Sequence, residues 1–153
     1  MESLRDVTAL VGRILLALIF VWGSLNKIIN ISGTANYMME AGIPMNLIYP
    51  ALYLSIVIEL GCGSLVIAGW HARSAALALF LWFIPVTFVT HVAGYFHAIE
   101  LRQAMAASVQ QAMCLKNITI MGGLLVLAAM GPGSLSMDGR GSAAGLNPAR
   151  RAA

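Results

Sequence analysis

Charge is what this sequence has least of. Only 10% of its 153 residues are charged and six are acidic, where a soluble domain carries about a quarter, so a water-facing globular surface is excluded. Cysteine is almost as scarce, with two residues at positions 62 and 114. They form no paired Cys-Cys spacing, and no HExxH is present, so the usual zinc frameworks are excluded. His91, or His97 and Glu100 one helical turn apart, come nearest to a ligand set. No metal site is expected from them. A Gly-rich phosphate loop, a Ser/His/Asp constellation and a paired-carboxylate site are all missing, so no autonomous catalytic site is evident.

What is present is apolar. Hydrophobic residues make up 59% of the chain, and the mean hydropathy is +0.83, which places the protein in a membrane. The net charge of +3 comes largely from the C-terminal end, where basic residues suit the positive-inside rule better than nucleic acid. No nucleic-acid binding is expected.

Four apolar segments long enough to span a bilayer organise the chain as an all-α, integral membrane four-helix bundle. The first covers residues 7–29 and is too long for a cleaved signal. Residues 30–46 are small and polar, a loop with a short helix around positions 35–41. The second span covers 47–69. The third covers 74–93 and is expected to kink at Pro85. Residues 95–113 mix glutamines and charges with apolar side chains, which predicts an amphipathic helix at the interface between helices three and four. The fourth span covers 114–130, and Gly131-Pro132-Gly133 ends it. The transmembrane domain is therefore 1–133. A basic, partly disordered tail follows over 134–153. Arginines 5, 73, 140, 150 and 151 fall on one side, so both termini are expected in the cytoplasm.

Within the second span lies one carboxylate, Glu59. At about 1.5 Å per residue it sits roughly 15 Å from the outer face, where a charge is costly and needs a partner, a proton or a task. Arg13 and Lys116 are the candidates for a buried polar network with it. Arg13 lies roughly 6 Å away along the axis, and the Glu59 side chain leans toward the outer side from which Lys116 enters. Such a network either fixes helix register or keeps a position open for a ligand or proton.

A second group gathers by depth near the outer face. Lys27 ends the first span, His91 lies late in the third, and Lys116 with Asn117 opens the fourth. This cationic, hydrogen-bonding rim suits the head group of a quinone or an anionic lipid with its tail between helices. The same residues also read as snorkelling lysines, amide caps and an interfacial histidine.

An ordered series of motifs adds to this reading. It runs from Arg13 and Gly23-Ser24-Leu25-Asn26-Lys27 through Gly42-Ile43-Pro44 and Glu59-Leu60-Gly61-Cys62-Gly63 to Gly69. It continues with Arg73, His91, Lys116-Asn117, Gly122-Gly123 and the tail opening GPGSLSMD. Over roughly residues 12–138 the chain resembles the DoxX family of small four-helix bacterial membrane proteins. The resemblance implies the inner membrane and an association with quinone-linked or thiol redox systems. The expected role is an accessory or quinone-adjacent subunit of an inner-membrane redox assembly, with lipid and partner subunits or a second copy as its neighbours. A structural or lipid-binding subunit and a small-solute carrier are the alternatives.

Overall fold

The computed structural model describes residues 2–139, all helix and short connections among them. Helix α1 is Glu2–Ile29, α2 is Ile31–Glu40, α3 is Met45–Ala68 and α4 is Ala72–Val86. A π-helical segment, Thr87–Val92, joins α4 to α5, Ala93–Glu100, and α6 is Ala104–Met130. Four stretches are long and apolar enough to cross a membrane: Leu4–Ile29, Met45–Ala68, Ala72–Glu100 and Ala104–Met130. The protein is thus an all-α membrane bundle.

Packing runs α1 on α3, α3 on α4 and α4 on α6, with α1 and α6 meeting only lightly. Buried Ala17, Phe20, Val66, Ala76, Leu79 and Leu124 form the core. Phe20 and Phe83 stack tilted, with ring centroids 4.7 Å apart, tying α1 to α4. In a bilayer such shape-matched contacts hold helices together, because lipid tails already solvate apolar surface. Gly63 permits the α1–α3 approach: a Cβ there would lie 3.2 Å from atoms of Phe20 and Val21. At the opposite end of α3, the short helix α2 seals Ala35 against Ile48 and Leu52. This is the helix expected in the first loop, extended by four residues at its start.

The third and fourth spans differ from expectation. Residues 95–113 form no separate interfacial helix. The third span runs on through α5 to Glu100, residues 101–103 turn, and α6 begins at Ala104. Within residues 95–113, Gln110 finds a partner on the lengthened third span, its Oε1 lying 2.9 Å from His91 Nδ1. Pro85 does disturb the third span. It lacks the N–H that a helix interior needs, and the backbone widens into the π turn from Thr87 onward. Threonine hydroxyls serve carbonyls there, Thr87 donating to Phe83 O at 2.7 Å and Thr90 to Val86 O at 2.6 Å. This is how a membrane helix tolerates proline.

The end of the bundle bearing the start of α1 is closed by residues 131–139. Arg13, 3% exposed, donates from Nη1 to Pro132 O at 2.6 Å and from Nη2 to Leu135 O at 3.0 Å. Asp138 accepts from the backbone N–H groups of His71 and Ala72 at 2.9 and 3.0 Å, capping α4 from a distance in sequence. Gly69 makes room for this clasp: it is left-handed at φ 69, and a Cβ would meet Ser136 and Arg13. Residues 134–139, the first of the tail expected to be partly disordered, are therefore held against the bundle. Residues 140–153 lie outside the described residues.

Candidate functional site

Glu59 is 5% exposed and faces the half of the bundle that bears the end of α1. Its partner comes from the end of α1: Lys27 Nζ donates to Glu59 Oε1 at 2.6 Å. Trp82 on α4 adds its indole N–H to the same oxygen at 3.3 Å. Three spans thus converge on a single carboxylate oxygen. The lysine ammonium is a quarter exposed while the carboxylate is buried, so the long lysine stem carries its charge inward from the rim.

Both residues line a cavity of about 560 Å³. Ile43, Pro44 and Leu47 wall it from the first loop and the start of α3. Phe83, Val86 and Val89 wall it from α4 and the π turn. The polar groups among its lining are Ser55 and Glu59 on α3, Lys27, Thr34 and Tyr37, Trp82, Thr90 and His91, and Lys116 with Asn117 on α6. Apolar walls with a few convergent polar groups are what small-molecule sites have in common.

The four rim residues expected from depth, Lys27, His91, Lys116 and Asn117, all line this cavity. They are not equally available. Asn117 is buried, and its Nδ2 donates to Thr87 Oγ1 at 3.0 Å, fastening α6 to the π turn. His91 holds Gln110 through Nδ1. Lys27 is committed to Glu59. Lys116 reaches only Met113 Sδ, at 3.4 Å, among the described residues.

The expected network of Arg13, Glu59 and Lys116 is not formed. Gly23 is the α1 residue level with Glu59, since its Cβ position lies 3.9 Å from Oε2. Arg13 is ten residues earlier, about 15 Å along the axis, and it is bound to the clasp at the other end. Lys116 shares the cavity with Glu59 and makes no bond to it. The inward lean of Glu59 toward the start of its own helix, which favoured Lys116, applies equally to Lys27. Trp82 was missed altogether. Its signal was a lone indole N–H within an apolar span, a group that needs an acceptor when buried.

These features define a four-span α-helical membrane protein with an amphipathic cavity in one half of the bundle. Residues 8–92 match the DoxX family, and the chain belongs to that family. It is similar to the inner membrane protein YqjF of Escherichia coli (strain K12), 36% identical over 138 residues, 90% of this chain and 95% of that protein. It is also similar to the inner membrane protein YphA of the same organism, 32% identical over 136 residues, 89% of this chain and 91% of that protein. No solved structure matches.

Proposed function

We propose that this chain is an inner-membrane, quinone-adjacent accessory subunit of a redox assembly, with both termini in the cytoplasm. Its cavity would hold a ring-shaped head group while the tail lies between helices. The location follows the names of its relatives, both inner membrane proteins. The observation that carries the ligand reading is the cavity itself: about 560 Å³ of largely apolar wall that includes the bonded group of Lys27, Glu59 and Trp82. That volume is in the range of small-molecule and cofactor sites, roughly 300–1,000 Å³. Electron carriers in this reading belong to partner subunits, and the chain contributes binding and orientation.

Trp82 makes the proposal measurable. Protein in phosphatidylcholine nanodiscs is titrated with a short-chain quinone while tryptophan emission is followed, Trp22 and Trp70 having been replaced by Phe. Saturable quenching that Ala51→Phe, on the cavity wall, abolishes is the expected result. Linear quenching, unchanged in that variant, would mean that the quinone only partitions into lipid. The lipid-binding alternative then takes its place.

A further inference from the structure

The Glu59 carboxylate is used on one side only. Lys27 Nζ and Trp82 Nε1 both donate to Oε1, and among the described residues none donates to Oε2. That oxygen is not sealed in either. The wholly enclosed side-chain polar atoms left without a partner, among the described residues, are Arg13 Nε and Ser24 Oγ. Oε2 therefore keeps open surface on a residue that is 5% exposed and lines the cavity. Gly23, facing it from α1, has no side chain to crowd it, and a Cβ there would stand 3.9 Å off.

A carboxylate oxygen only accepts hydrogen bonds, so the group that completes Glu59 must be a donor. Two lysines, Lys27 and Lys116, line the same cavity and disfavour a cationic donor by like-charge repulsion. The walls from Phe83, Val86 and Val89 suit a ring better than a hydrated solute. From these constraints we infer that Glu59 Oε2 accepts a hydrogen bond from a neutral ring hydroxyl, so that the cavity selects the hydroxyl-bearing, quinol form of its ligand over the quinone form. A quinone offers only carbonyl acceptors and leaves Oε2 unpaired. Its oxygen lone pairs would also face the carboxylate. This inference rests on the ring-ligand reading above and names which form of that ligand the site takes. It concerns binding alone; no electron or proton is transferred.

The selectivity has a size. A hydrogen bond to a charged group, made by one ligand and missing in the other, corresponds to about tenfold to hundredfold in affinity. The experiment compares duroquinol, its dimethyl ether and duroquinone on the full chain in phosphatidylcholine nanodiscs, under anaerobic conditions, by Trp82 fluorescence with Trp22 and Trp70 replaced by Phe and by calorimetry on the unaltered protein. The expected result is duroquinol binding at least tenfold more tightly than both others. Glu59→Gln, checked for helicity and monodispersity, is expected to bring the three within about twofold. Equal affinity for all three overturns the selectivity and leaves the ring-ligand reading standing. So does tighter binding of the quinone, or a preference that survives Glu59→Gln. Saturable binding of none of them removes the ring-ligand reading, and this inference falls with it. The comparison on the unaltered protein decides the matter even if the variant does not fold.

Discussion

Lys27 Nζ and Glu59 Oε1 lie 2.6 Å apart and join the end of the first span to the middle of the second. The carboxylate is the more deeply buried partner, so the lysine matters chiefly as the charge without which Glu59 stands alone. Removing one partner of such a pair is destabilising, whereas replacing both by apolar groups is often tolerated. Lys27→Met is therefore expected to cost about 2 kcal/mol, less than a fully buried pair because the lysine is partly solvated. Lys27→Met with Glu59→Leu should recover most of it. Thermal unfolding in detergent measures the cycle, and strictly additive losses would show that the two residues do not act as a pair.

At the other end, Arg13 and Asp138 hold residues 131–139 against the bundle. Asp138→Ala leaves two N–H groups at the start of α4 without their acceptor, an N-cap loss of about 1 kcal/mol. Arg13→Lys keeps the charge and loses the fork that reaches Pro132 and Leu135 together. Both variants should make the segment 131–139 cleavable by added protease at concentrations that leave it intact in the parent. Equal resistance in variant and parent would mean that the clasp is held by something else.

The buried contact of Asn117 Nδ2 with Thr87 Oγ1 gives a third expectation. Asn117→Leu removes the donor, while Thr87 retains its bond to Phe83 O, so the loss should be modest, about 1 kcal/mol. The π turn would lose one of its two side-chain tethers to α6, the His91–Gln110 bond remaining. Faster amide exchange confined to residues near 87–92 is the expected readout, and an unchanged exchange pattern would count against the tether.

Much of this architecture is legible from the chain. Scarcity of charge and the length of the apolar runs dictate four spans, because a bilayer admits few other solutions for a single all-apolar chain. Depth alone placed Lys27, His91, Lys116 and Asn117 at one level, and the fold gives them one cavity. Partner choice was harder to read. The match of Arg13 to Glu59 rests on counting Glu59 down from the outer face and Arg13 up from the inner face, which leaves a gap of roughly 6 Å. In the fold α1 begins at Glu2, and Glu59 stands level with Gly23. The acceptors that claim Arg13, Pro132 O and Leu135 O, are backbone carbonyls, which no side-chain pattern announces. The polar stretch 95–113 misled for a related reason. Gln110 is used between the lengthened third and fourth spans, in the His91–Gln110 bond, and the exposed polar residues about the 101–103 turn define no separate element.

The central claim is that a ring-bearing ligand occupies the cavity lined by Glu59. Photolabelling with an azido-quinone in native membranes, followed by mass spectrometric mapping, tests it most directly. The account predicts adducts on the cavity wall, at residues such as Leu47, Trp82 and Val86, competed away by excess short-chain quinol. Adducts confined to outward-facing residues such as Leu15, Trp22 and Val126, and insensitive to competitor, would contradict it.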